Sequence, residues 1–113
     1  MFIAYIIIAA VLGFLLLVSA AFKLRPDPRV HEIGGVPRRF FPHLAALEIA
    51  GAAGLMIGLA WAPLGIAAAG GVVLYMIGAV IAHARVRDFK GIAKPVLPLA
   101  LAIAALITRL LSI

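Results

Sequence analysis

The sequence predicts an all-α fold, a bundle of four antiparallel transmembrane helices, and three observations carry that prediction. Of the 113 residues 66% are hydrophobic and 12% charged, with a mean hydropathy of +1.25. A soluble domain is nearer half apolar and about a quarter charged. The apolar residues form four runs, at about 1–22, 40–60, 64–84 and 95–112, each close to the ~20 residues that cross a bilayer. Nine of the ten Lys and Arg residues fall in two short segments between those runs. They are Lys23, Arg25, Arg29, Arg38 and Arg39, then Arg85, Arg87, Lys90 and Lys94. One integral membrane domain, 1–113, follows.

The first run is broken only by Gly13 and Ser19. Val18-Ser19-Ala20 has the small residues of a signal-peptide cleavage site, but no basic segment precedes the run and its apolar length exceeds ~15 residues. It is therefore read as the first helix. The segment from Lys23 to Arg38 reads as a polar loop, because Pro26, Pro28 and Pro37 remove backbone donors and Gly34-Gly35 loosens the chain. The second helix starts near Phe40, with Pro42 in its first turn. Trp61 marks an uncharged turn at the membrane surface. The third helix follows to about Ala84, then a basic loop to Lys94. Pro95 is expected to open the fourth helix, with Pro98 in its first turn. Connections this short make antiparallel neighbours.

Both basic segments then lie on one side. The positive-inside rule makes that side cytoplasmic, with both termini outside, as expected of a bacterial inner-membrane protein. Lys23, one turn after Ser19 at the inner end of the first helix, is read as a snorkelling anchor that sets orientation, and Arg109, the tenth basic residue, as one that snorkels to the opposite interface. The net charge of +6 is thus a topology signal, and nucleic-acid binding is set aside. With no cysteine, neither thiol chemistry nor a disulfide framework is available.

Glu48 is the residue around which the chemistry gathers. It sits inside the second apolar run, where ionisable groups are expensive and usually face a bundle interior or a cavity. Burial disfavours its charged form, so a neutral carboxyl that either fixes packing or binds a proton or ligand is expected. Counting down the second helix and up the third brings Tyr75 to its level, which predicts a Glu48–Tyr75 hydrogen bond. His83 follows two turns later on the same face, and His43 lies at a similar depth. No fixed ligand spacing accompanies these histidines and Asp88, so no metal is assigned. Gly51, Gly54 and Gly58, with Gly71 and Gly78 opposite, are expected to pack helices closely, either within the bundle or between copies in a homo-oligomer.

Several short stretches together resemble the DoxX-like membrane proteins. These are Phe22-Lys23-Leu24, Leu47-Glu48-Ile49-Ala50-Gly51, and Met76-Ile77-Gly78-Ala79 followed by His83 and a basic, Asp-containing loop. The resemblance implies a four-helix membrane fold and places the family's recurring acidic residue and histidine on Glu48 and His83. It also implies association with quinone-linked oxidoreductases or other membrane proteins. The favoured function is a small accessory or binding subunit whose pocket around Glu48 holds a quinone, a lipid or a similar apolar ligand. A proton-coupled transporter of the small-multidrug-resistance type is the alternative, although that type carries its glutamate in the first helix, which here has no acidic residue. An intramembrane enzyme using Glu48, Tyr75 and His83 ranks last, because the helices offer few other polar groups. No cofactor is required by the residues themselves.

Overall fold

Each apolar run becomes a helix because lipid leaves the backbone no partner but itself. The computed structural model describes residues 1–25, 28–33 and 35–113. Helix α1 spans Phe2–Leu24, α2 Phe41–Ile57, α3 Ala62–Arg85 and α4 Phe89–Leu111. All four are long and apolar enough to cross a membrane, α2 together with a 3-10 turn at Arg38–Phe40. In the bundle α1 packs on α2 and α4, and α3 packs on α2 and α4. At 44 Å, the long axis matches the ~40–45 Å of a bilayer with its headgroups.

Side-chain size is distributed as lipid solvent demands. Ala9, Ala20, Ala45, Ala52, Ala69, Ala102 and Ala105 are buried, while Phe14, Leu17, Leu74, Ile77 and Leu110 point outward. Burying a leucine gains little when the surroundings are hydrocarbon, so helices associate through small residues that let backbones approach.

The α2–α3 seam shows this best. A Cβ on Gly58 would collide with the Gly65 backbone, one on Gly54 would lie 2.7 Å from Ala68 Cβ, and one on Gly51 2.9 Å from Val72 Cγ2. Each step of three or four residues along α2 is matched by a similar step along antiparallel α3. The next rung sets Glu48 against Tyr75.

Gly71 and Gly78 do not belong to this seam. A Cβ at either would meet nothing within 4 Å, because both line open space. Their expected packing role is corrected accordingly.

Helix α4 starts six residues before the expected Pro95. Asp88 caps it, its side chain accepting from Gly91 N at 3.0 Å, and this cap offsets the donors that Pro95 and Pro98 lack inside the helix. The preceding connection is then only Val86–Asp88. Asp88 N donates to His83 O at 2.8 Å and Arg87 N to Ala84 O at 3.1 Å, the paired bonds of a Schellman turn. Arg87 occupies its left-handed position, φ +57°, where glycine is usual.

The expected polar loop contains a short antiparallel hairpin, β1 Glu32–Ile33 with β2 Val36–Pro37. Gly35 turns it with φ +81°, and a Cβ there would lie 2.6 Å from Val86 Cγ1. The hairpin therefore leans on the α3–α4 turn. Arg38 ties it down by donating to Val30 O at 3.4 Å. Pro26, Asp27 and Gly34 lie outside the described residues.

The end opposite the hairpin closes on buried polar groups. The first carbonyls past a helix's last bonds lack partners. Here Leu59 N turns to Met56 O, and the Tyr5 hydroxyl donates to Leu55 O at 2.7 Å. Arg109 Nε donates to Gly58 O at 2.9 Å, with its guanidinium 4.9 Å from the Phe2 ring centre and 5.5 Å from that of Tyr5. Arg109 is 7% exposed, so it does not snorkel to the surface. Its donors are met within the bundle end instead, Nε by Gly58 O and Nη1 by Ser112 Oγ at 3.0 Å, as a buried charge requires.

Candidate functional site

Lys23 is the residue that sequence reasoning misplaced. It belongs to the last turn of α1, not to the basic loop, and only 9% of it is exposed. A helical side chain leans toward the helix N-terminus, here inward along the bundle. Its Nζ donates to Ser19 Oγ one turn back at 2.6 Å and lies 2.9 Å from Glu48 Oε1.

The Glu48 carboxyl is 2% exposed and faces the interior. It does so beside the Lys23 ammonium, where a neutral carboxyl bonded to Tyr75 was expected. Oε1 has no aligned hydrogen-bond donor despite the 2.9 Å approach of Nζ, so the contact is held by charge and is off-axis. The Tyr75 hydroxyl lies beside the same carboxylate and interacts with it. Glu48 thus stands between an ammonium from α1 and a phenol from α3.

His83 and Asp88 form a second pair one helix turn from the end of α3. His83 Nδ1 and Asp88 Oδ2 are 3.0 Å apart, with His83 6% exposed and Asp88 at the surface. The Gly91 N–H bond holds the Asp88 carboxyl below the ordinary carboxylate range, and the bond to His83 adds to this. Gly91 is required here, since a Cβ would collide with the Asp88 carboxylate and come within 2.7 Å of His83 Nδ1.

His43 points outward and packs against Phe40, ring centres 6.2 Å apart. It takes no part in the site. Among the described residues no three His, Cys, Asp or Glu side chains come together as a metal would need.

A cavity of about 840 Å³ joins the two pairs. Its polar groups are Ser19, Lys23, Glu48, Tyr75, His83 and Asp88, with Glu32 and Lys94 at the mouth. Its walls are otherwise apolar, Leu16, Met76 and Gly78 among them, and Val30, Ile33 and Val36 of the hairpin segment close it from the basic end. Lys94, expected in a loop, reaches the cavity from the second turn of α4; Lys90 is in the first turn, and Arg85 ends α3. A second space of about 570 Å³ runs between α2 and α3, and Leu16, Glu48 and Tyr75 line both.

This arrangement can hold a molecule with a hydrocarbon body and a small polar head. Both volumes fall within the ~300–1,000 Å³ of ordinary ligand sites. The Ser19–Lys23 spacing was visible in the sequence but not its turn toward Glu48, and the signal that could have found the Asp88 cap was an aspartate three residues before a glycine.

No curated protein and no solved structure matches the chain. Residues 6–105 match the model of the DoxX-like family, a span that holds both side-chain pairs and most of all four helices. The chain belongs to the DoxX-like family, as a small membrane protein of four spanning helices.

Proposed function

We propose that the protein is a small accessory or binding subunit that holds an apolar, polar-headed ligand, a quinone or a lipid, in the cavity around Glu48. The observation that carries this reading is the cavity itself: apolar walls that converge on Glu48, Lys23 and Tyr75. Polar groups concentrated at one point of an otherwise apolar pocket orient a ligand by its head. The basic end faces the cytoplasm in this reading, on the strength of nine of ten Lys and Arg residues. A membrane oxidoreductase that exchanges the ligand is the partner of choice. Transport by alternating access receives less support, since Glu48, the one membrane-depth carboxylate among the described residues, is already paired with Lys23.

The test is thermal unfolding in detergent with a decyl-tailed benzoquinone or monoolein. A ligand at a hundred times its Kd adds about 2.7 kcal/mol. Stabilisation that Gly78→Leu abolishes supports the reading, because Gly78 faces the cavity with room for a side chain. Stabilisation by neither probe, or stabilisation equal in Gly78→Leu, overturns it.

A further inference from the structure

The groove between α2 and α3 has a role that the inner cavity alone does not explain. Its floor is the packed Gly51–Val72 and Gly54–Ala68 seam, and its sides come from Ala50, Ala67 and Gly71, small residues that leave a groove where bulky ones would fill it. Leu47, Leu64 and Leu74 edge it, and Leu47 and Leu74 are 60% and 72% exposed, as lipid-facing residues are. The groove therefore opens sideways into the bilayer, and only shared side chains stand between it and the inner cavity. Leu16, Glu48 and Tyr75 line both it and the inner cavity. Where the two spaces share their wall, Glu48 and Tyr75 are the polar residues, and the Lys23 contact to Glu48 Oε1 is off-axis.

We propose that groove and cavity are two halves of one site for a single-tailed amphiphile with an uncharged, hydroxyl-bearing head, which enters laterally from the bilayer between α2 and α3. The inference rests on the ligand-binding reading above and adds route and chemistry to it. The tail occupies the α2–α3 groove, where small apolar residues offer contact and no polar atom competes. The head settles between Tyr75 and the Glu48 carboxyl, the two polar groups that line both spaces, where a hydroxyl exchanges bonds with the phenol and the carboxylate.

Charge selects an uncharged head. The inner cavity carries two lysines, Lys23 and Lys94, against the carboxylates of Glu32, Glu48 and Asp88. Lys23 is engaged by Glu48, and Asp88 by His83 and Gly91 N. A phosphate or carboxylate head would find no surplus of positive charge, and a cationic head would face Lys23 directly. A hydroxyl costs little to desolvate and gains a charge-assisted bond.

The experiment compares a long and a short monoacylglycerol, 1-monoolein and 1-monohexanoylglycerol, on the wild-type chain and two filling variants in mixed micelles. Gly71→Leu fills the groove and Gly78→Leu the inner cavity; neither Cβ meets an atom within 4 Å, so the fold accommodates both. Circular dichroism and unfolding midpoint verify that each variant is folded. Gly71→Leu is expected to weaken monoolein at least tenfold while leaving monohexanoylglycerol within twofold, and Gly78→Leu to weaken both at least tenfold. A photoactivatable monoolein with a diazirine at mid-chain should label Leu64–Tyr75 and Leu47–Gly54 in preference to the outer faces of α1 and α4. Monoolein binding unchanged by Gly71→Leu, or labels spread evenly over all lipid-facing helices, overturns lateral entry while the inner site stands. If neither monoacylglycerol nor the decyl-tailed benzoquinone binds the wild type, the inner site falls as well.

Discussion

Replacing Lys23 with methionine should be among the most damaging single changes in the protein. Met retains the unbranched apolar stem and loses only the charge, so packing along α1 is largely kept. What remains is Glu48, 2% exposed, with its counter-charge gone. Removing one partner of a buried ion pair costs about 3–5 kcal/mol. The mirror change, Glu48→Leu, should cost less, about 1–3 kcal/mol, because a lysine one residue from the end of α1 can swing its head to the interface. A carboxylate two turns inside α2 has no such escape. The double variant Lys23→Met/Glu48→Leu removes both charges and should recover most of the loss, since an apolar pair in place of a buried ion pair is often neutral. A double-mutant cycle by reversible unfolding in mixed micelles measures the coupling directly, and about 4 kcal/mol or more is expected, because a nearly neutral double variant must cancel most of the two single losses. Additive single effects, with a coupling below about 0.5 kcal/mol, would refute the claim that the two charges depend on each other.

Other expectations follow from the two ends of the bundle. Gly58→Ala places a methyl against the Gly65 backbone and the Tyr5 hydroxyl and should cost at least 1–3 kcal/mol, roughly the penalty of overpacking, measured by the unfolding midpoint. Tyr5→Phe leaves Leu55 O without its donor and should cost about 1–3 kcal/mol in the same assay. Arg87→Gly relieves a left-handed residue at φ +57° and should stabilise by about 1 kcal/mol. Asp88 has a depressed folded-state pKa, so its contribution is present above the unfolded carboxylate value and disappears as pH falls through the lower folded one. Stability of the wild type should therefore drop on acidification below the ordinary carboxylate range by a component that Asp88→Ala lacks.

What the sequence revealed and what it hid have separate physical causes. The four spans were legible because lipid imposes length and hydropathy on every crossing segment. The Glu48–Tyr75 rung was legible because antiparallel helices have one register once their turn is known, and Trp61 marks that turn. Lys23 was hidden because a lysine at a helix end has two outlets. Whether it snorkels outward or folds back to Ser19 depends on what stands opposite, and a single chain read in order does not present Glu48 beside it. The start of α4 was masked by its prolines: Pro95 reads as a first-turn residue, yet the Asp88 cap and the Schellman turn at Arg87 begin the helix earlier. The hairpin, two residues a strand, is too short to show a period. Arg109 read as a surface charge because the carbonyl it satisfies, Gly58 O, is created only when α2 ends there. Gly71 and Gly78 resembled packing glycines because spacing alone does not tell a glycine pressed on a backbone from one that borders a cavity.

The most direct test of the central claim is mass spectrometry of the intact protein released from nanodiscs formed in its native membrane. One small molecule should be retained per chain, apolar with an uncharged polar head, and lost from the Gly78→Leu variant although that variant remains folded. A chain that emerges without any retained molecule, or a molecule retained equally by Gly78→Leu, would contradict that claim.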